Sequence, residues 1–351
     1  MLKKEVAIMK FGLGPFSMQS PPDSGKTHAG LYREMLEQIV VAEEIGFDSA
    51  WLVEHHFMDD GMCPSLLVTA AAMAARTSTL KIGTSMYLLP LHRPVQTAED
   101  VAVLDNISAG RFIFGVATGY RPEEYAGYQE ERTGREQRME EELDIIIKGW
   151  TTDKFSFSGH YYNVENLSVT PKPHQKPHPP IWIGASTRGG VRRAAQWASA
   201  LVASPRHHIN ELKQHYTWYR DQLQRFNKTA MATPVIREVY VAETTAQAED
   251  EARDGIMYIH GGMYGKWANV RPLRDDQGRL VENPATVTFD THRERFIIGN
   301  PDHCIREIER YQHELGMDYL ICWMHYPGAD HQKSLRAMRL FAKEVMPHFA
   351  K

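Results

Sequence analysis

The residues best suited to chemistry form the tripeptide Glu54-His55-His56, at the end of a short apolar run spanning Ser49–Glu54. A histidine at a strand mouth can accept or shuttle a proton near neutral pH, because its ordinary pKa lies there. Successive strand side chains point to opposite faces, so His55 and His56 cannot serve one centre together. That argues against a metal pair built from adjacent histidines. A structural or surface histidine would carry the same letters. A second candidate is the run Ile183-Gly184-Ala185-Ser186-Thr187-Arg188-Gly189-Gly190, a strand end followed by a helix start. Small residues let backbone N–H groups approach a phosphate, and a helix N-terminus favours its negative charge. The hydroxyls of Ser186 and Thr187 and the charge of Arg188 would add to that, although a generic strand–helix turn has much the same composition. Tyr87, His92, Tyr120, Arg121, Trp323 and His325 fall near other expected strand ends and are candidates to line a substrate pocket; Trp323 is equally suited to a core.

These positions gain meaning from the alternation around them. Apolar runs that read as strands lie at Glu5–Phe11, Ser49–Glu54, Leu80–Leu88, Phe112–Ala117, Ile181–Gly184, Ala200–Ala203, Pro234–Ala242 and Tyr319–Met324. Each is followed by a helical pattern, from Leu31–Ile45 through to Ser334–Val345, with an extra helix at Thr245–Ile259. Eight strand–helix units predict an α/β fold, a (β/α)₈ TIM barrel with insertions, as a single domain over residues 1–351. In such a barrel the functional groups come from the C-terminal strand ends, where the candidates above lie. A doubly wound open sheet would need a glycine-rich fingerprint after the first strand, and Gly12-Leu13-Gly14-Pro15-Phe16 lacks its third glycine and the helix start. Phe155–Pro180 is an aromatic, proline-rich excursion. Gly261–Gly299 shows no periodicity and reads as a candidate mobile lid that buries little apolar surface.

Composition narrows the class further. A chain of 351 residues, 42% hydrophobic and 24% charged with net charge −4, fits a soluble enzyme and offers no basic stripe for nucleic acid. The cysteines, Cys63, Cys304 and Cys322, form no C-x-x-C pair, which argues against a disulfide framework or a zinc knuckle and favours a reducing compartment. Lys10 interrupts the early apolar run before a signal-peptide core can form, and no apolar stretch reaches the ~18 residues needed to cross a bilayer. A cytoplasmic protein without membrane contact is expected.

Several motifs then fall into one order. Glu54-His55-His56-Phe57, Leu88-Leu89-Pro90-Leu91-His92-Arg93-Pro94-Val95, Ala98-Glu99-Asp100, Leu104-Asp105, Ser108-x-Gly110-Arg111-Phe112 and Gly115-x-x-x-Gly119-Tyr120 follow without a gap. Phe157-x-Gly159-x-Tyr161-Tyr162 and Pro179-Pro180-Ile181-Trp182-Ile183-Gly184 come later. Together they resemble the bacterial luciferase-like flavin-dependent monooxygenases, from Phe11 to about Ser204 and more weakly through Gly261–Gly299.

The resemblance implies that His55 lies near the reacting flavin and that Ser85-Met86 forms a non-prolyl cis peptide against the ring system. It implies an FMN phosphate site at Gly184, Ala185, Ser186, Thr187, Gly189 and Gly190, with Thr118 and Tyr120 beside the phosphate or ribityl chain, and no metal. Ala117 stands where luciferase has a reactive cysteine, and Thr118 where it has an arginine, which removes one expected phosphate contact. The implied activity takes reduced FMN and O₂, through a flavin C4a-peroxide, to oxidise a small organic substrate, with reduced flavin drawn from a separate NAD(P)H:flavin reductase. Hydride transfer with the deazaflavin F420 on the same fold and flavin binding without turnover remain as alternatives. The helix Ser65–Arg76, carrying Ala70, Ala71, Ala72, Ala74 and Ala75, is the kind that pairs across a two-fold axis in luciferase relatives, so a homodimer is expected.

Overall fold

The computed structural model describes residues 8–267 and 272–350. Its strands are β1 (Lys10–Phe16), β2 (Ser49–Leu52), β3 (Lys81–Thr84), β4 (Tyr87–Leu88), β5 (Phe112–Ala117), β6 (Phe155–Ser158), β7 (Asn163–Leu167), β8 (Ile181–Gly184), β9 (Ala200–Val202), β10 (Pro234–Val241), β11 (Ile297–Gly299) and β12 (Tyr319–Trp323). Its helices are α1 (His28–Glu44), α2 (Leu66–Arg76), α3 (Pro94–Ile107), α4 (Pro122–Gly127), α5 (Arg135–Thr151), α6 (Arg188–Trp197), α7 (Ile209–Arg225), α8 (Thr245–Met257), α9 (Pro301–Leu315) and α10 (His331–Leu340). The parallel ladder runs β10-β12-β1-β2-β3-β5-β8-β9. A parallel bridge from Ala203 to Val235 joins its two ends, so the expected barrel closes. All eight anticipated strands are present. β4 carries the third strand onward beside β5, and β11 pairs with the far half of β10. No helix among the described residues is long and apolar enough to cross a membrane.

The first strand runs Lys10–Phe16 rather than Glu5–Phe11, and residues 1–7 of the expected run lie outside the described residues. Gly12 and Gly14 therefore sit within the strand instead of closing it. The cause is Trp51, whose indole fills the barrel interior. A Cβ on Gly12 would stand 2.6 Å from Trp51 Nε1, and one on Gly83 would stand 2.3 Å from the same ring. Trp51 stacks on Trp182 at 4.8 Å, Tyr319 meets Trp182 edge-on at 5.2 Å, and Ile113, Ile236 and Ile321 complete this inner core. The barrel is filled below, and only its C-terminal mouth is open for a ligand.

Two insertions differ from a bare loop. In the Phe155–Pro180 excursion, β6 and β7 form an antiparallel hairpin. Glu141 of α5 accepts the backbone N–H groups of His160, Tyr161 and Tyr162, and the Tyr162 hydroxyl lies 2.7 Å from Glu142. Of the 261–299 segment, residues 268–271 lie outside the described residues, and the described parts bury more apolar surface than the sequence pattern implies. Leu273, Val287, Phe289 and Phe296 are buried, and Arg295 pairs with Asp276. Gly261 and Gly262 belong to a π-helical turn, Tyr258–Tyr264, not to an open hinge.

Glu142 gives a testable consequence. Burial raises its pKa from 4.5 to about 8, against the opposing effect of the Tyr162 hydrogen bond and Arg138. The folded chain thus keeps a proton that the unfolded chain releases near 4.5, so stability should fall as pH rises from there to about 8 and then level off. Glu142→Gln should flatten that slope and raise the melting temperature at pH above 8, measured by calorimetry across pH.

Candidate active site at the barrel mouth

A cavity of about 320 Å³ opens at the C-terminal ends of the strands. His55 lines it. Its Nδ1 lies 2.7 Å from Oε1 of Glu124, which comes from α4 and is fully buried. A carboxylate can only accept, so His55 carries its proton on Nδ1 when neutral and leaves Nε2 as an acceptor. The Tyr120 hydroxyl stands 3.4 Å from Nε2, and the Trp267 ring covers the imidazole at 4.7 Å. Burial pushes the Glu124 carboxyl up, but the hydrogen bond and charge of His55, the backbone N–H of His56 and the charge of Arg121 more than reverse this and hold it low. The pair therefore positions a buried imidazole as a base with its lone pair toward the Tyr120 side.

His56 faces elsewhere, as expected. Its Nε2 meets Glu54 Oε1 at 2.6 Å, and Nδ1 meets the Tyr128 hydroxyl at 3.0 Å. His92 Nε2 reaches the same Glu54 oxygen at 2.9 Å, while the Leu88 N–H binds the other. Burial alone would raise the Glu54 pKa, yet the hydrogen bonds and charges of the two histidines hold it at about 2. Adjacent histidines form no metal pair, but Glu54, His56 and His92 bring ligand-type atoms within 4.8 Å of one another. With both oxygens of Glu54 already bonded, the cluster acts as a brace between the loops after β2 and β4.

The other end of the cavity is built for an anion. Gly184, Ala185, Ser186, Thr187 and Gly190 line it at the start of α6. Thr187 caps that helix by accepting the Gly190 N–H at 3.1 Å. A Cβ on Gly190 would lie 2.8 Å from that of Ala185, so only glycine leaves the cradle open. Arg135 of α5 and Arg193 of α6 also line this end. Between the ends lie Ser85, Met86, Thr118, Gly119 and Tyr120, and the Ser85–Met86 peptide is cis. Ser85 Oγ is buried without a hydrogen-bond partner, so it is available to a ligand. An anionic end, a buried hydroxyl and a floor of small residues fit a flavin phosphate and its chain.

Several expected residues lie elsewhere. Gly189 is exposed and off the cavity wall, and Arg188 stacks over Trp218 at 4.9 Å instead of facing the cradle. Of the pocket candidates, only Trp323 lines the cavity in addition to Tyr120. Tyr87 is buried against His92 at 4.0 Å, with its hydroxyl on Thr97. His92 itself is taken by Glu54. Arg121 binds the His56 carbonyl and Glu124, bracing the loop from behind. His325 packs on Phe16 and bonds Gln38, and burial pushes its pKa down to about 3, so it stays neutral. The sequence reading missed Arg135, Arg193, Met62, Met263 and Tyr264, all on the wall. The signal for Arg135 was its place at the start of a helix; nothing in the local sequence marks the others.

The model of the luciferase-like monooxygenases matches residues 9–319. The chain belongs to that family. Two relatives show its range. The chain is 25% identical over 342 residues to the oxygenase component of flavin-dependent trigonelline monooxygenase from Acinetobacter baylyi, covering 93% of this chain and 92% of that one. It is 29% identical over 337 residues to an F420-dependent glucose-6-phosphate dehydrogenase from Microbacterium testaceum, covering 91% and 94%. The fold matches the FMN-bound oxygenating constituent of 3,6-diketocamphane monooxygenase from Pseudomonas putida with a TM-score of 0.81 at 21% identity, covering 97% and 98% of the chains. The luciferase-like family thus spans FMN monooxygenases and F420-dependent dehydrogenases.

The arginines test the anionic end. Arg135→Gln with Arg193→Gln should weaken FMN binding by ~10–100-fold while leaving riboflavin binding nearly unchanged, since charge-assisted contacts contribute about 1.5–3 kcal/mol. Fluorescence titration with both flavins checks this, and equal losses for the two would remove the phosphate assignment.

Proposed function

We propose that this chain is the oxygenase of a two-component, FMN-dependent monooxygenase that oxidises a small organic substrate with O₂, its reduced flavin coming from a separate NAD(P)H:flavin reductase. The observation that carries this reading is the pairing of an anion-binding cradle with a buried base, His55, in one cavity. Reduced FMN, when bound, supplies the electrons that activate oxygen. The chain's own part is to anchor the phosphate at Ser186, Thr187 and Gly190, to hold the ring over Met86 and Ser85, and to move a proton at His55 Nε2. His55→Ala should fold and bind FMN but lose ~10²–10⁴-fold in oxygen-dependent product formation. Turnover at the unaltered rate would make His55 structural. A flavin-binding role without turnover would leave the Glu124–His55 pair without a task.

F420-dependent hydride transfer is the second reading, favoured by the 29% identity to a dehydrogenase that uses that cofactor. Parallel titrations with FMN and F420, followed by assays with and without O₂, separate the two.

We also propose a homodimer through α2 and α3. Ala70 and Ala74 of α2 face the barrel, whereas Ala72, Ala75 and Val68 face outward beside Val103 and Ile107 of α3. Sedimentation should give a dimer at micromolar concentration, and Val68→Asp with Ile107→Asp should give a monomer.

A further inference from the structure

We propose that the π-helical turn Tyr258–Tyr264 is the specificity element of the site, and that it selects an uncharged, largely apolar substrate bearing a single polar group. The inference rests on the oxidoreductase reading for what happens to the substrate, but not for what binds.

The cavity has two chemically different ends. Arg135, Arg193 and the start of α6 give one of them its positive charges, with Arg135 paired to Glu136 on the same wall and Arg193 to Glu140. Pro15, Met62, Ile236, Met263, Tyr264 and Trp323 make the other. No side chain in that second wall carries a charge. The carboxylates near it are already engaged: Glu54 by His56, His92 and the Leu88 N–H, Glu124 by His55 and Arg121, and Glu238 by His260 at 2.7 Å. An ion placed here would lose its water and find no charged group on that wall, since the nearby Arg206 guanidinium is engaged by the Tyr264 ring at 5.8 Å and by the Pro272 carbonyl. A neutral molecule would lose little, and its polar group could meet His55 Nε2 or the Tyr120 hydroxyl at the boundary between the two ends.

Most of this wall comes from the strands and their first loops. Met263 and Tyr264 alone come from the turn after α8, and buried polar groups fix that turn on both flanks. Tyr258 Oη donates to Asp60 Oδ2 at 2.8 Å, and Gln19 Nε2 donates to the same oxygen at 2.7 Å. Gln19 Nε2 also reaches the Met263 sulfur at 3.7 Å. Residues five apart adjoin in a π-helix, so Tyr258 and Met263 meet one anchor. On the opposite flank His260 holds Glu238 of β10. The circuit sets the Met263 thioether and the Tyr264 ring across the far end of the cavity. The Met263 thioether meets Gln19, whereas His55 is held by Glu124, Tyr120 and Trp267, so changing Met263 alters the chemistry of one wall alone. Pi-helical turns are rare and occur often at functional sites.

The test compares cyclohexanone with cyclohexanecarboxylate and cyclohexylamine, each titrated calorimetrically into the full chain with and without FMN. The ketone should bind at least ~10-fold more tightly than either ion, the minimum expected for an unpaired charge. Met263→Lys should reverse the order of ketone and carboxylate. Met263→Gln, close in shape and uncharged, should keep the wild-type order, and it decides together with the wild type if the lysine variant does not fold. Either ion binding as tightly as the ketone, or an order unmoved in folded Met263→Lys, overturns the proposal. The readout needs neither O₂ nor turnover. A chain that fails as an oxygenase but keeps this ranking would sink the functional reading and leave the specificity element standing.

Discussion

The catalytic face depends on buried carboxylates that must each find donors. Glu54, Glu124 and Glu238 are all fully enclosed, and each is answered by an imidazole: His56 and His92, His55, and His260 in turn. Removing one partner from a buried pair leaves an uncompensated charge, which costs about 3–5 kcal/mol. The loops that carry these histidines therefore cannot shift independently. Glu54 ties the loop after β2 to the one before α3, Glu124 ties the first loop to α4, and Glu238 ties the π-helical turn to β10. Where burial would neutralise Glu54, its two histidines keep it ionised, so the brace is electrostatic as well as steric. A base held at one angle by such a brace loses little orientational freedom when a substrate arrives.

Below this layer the barrel is closed by aromatic packing, and that packing connects fold to site. Trp51 needs glycine at 12 and 83 to fit between β1 and β3. The strand that supplies Gly83 continues through Thr84 to Ser85 and Met86. Thr84 Oγ1 bonds both the carbonyl and the N–H of Gly115 on β5, and a Cβ on Gly115 would lie 1.9 Å from the Thr84 oxygen. Met86 then packs on the aromatic core from above while lining the cavity. The floor of the ligand site is thus the top of the barrel core. A cavity-making change at Trp51 or Trp182 would be felt in the binding site, not only in stability.

The barrel was legible because eight apolar runs alternate with helical ones, a pattern that depends on local periodicity alone. The places of His55 and of the Ser186–Gly190 turn at strand ends were legible for the same local reason, and His55, Ser186, Thr187 and Gly190 line the cavity. What failed depended on other strands. Gly12 and Gly14 read as a stop, since nothing nearby in sequence reveals that Trp51 needs the space. Tyr87, His92, Arg121 and His325 were placed near strand ends correctly, but nearness does not say which face a side chain takes. Glu54, Glu124 and Gln38 draw three of them away from the cavity. Arg135 and Arg193 lie in helices, where the local pattern does not say which charge turns toward the cavity. In the 272–299 stretch, Leu273, Val287, Phe289 and Phe296 are spaced without a period, so a search for helix or strand could not find the surface they bury.

The same logic explains why one mouth can serve two cofactors across this family. An imidazole with Nδ1 pinned to Glu124 is suited to a proton leaving an oxygenated product and equally to one leaving an alcohol during hydride transfer. A cradle of small residues at the start of α6 suits a phosphate whatever ring the phosphate carries. Neither feature distinguishes oxygen activation from hydride transfer. The distinction must lie in the groups that meet the reacting ring and in how dry that region is. Here those groups are Met86 and Ser85 below, Trp267 over His55, and the uncharged far wall beyond. A dry, neutral chamber strengthens every hydrogen bond His55 makes and excludes competing water.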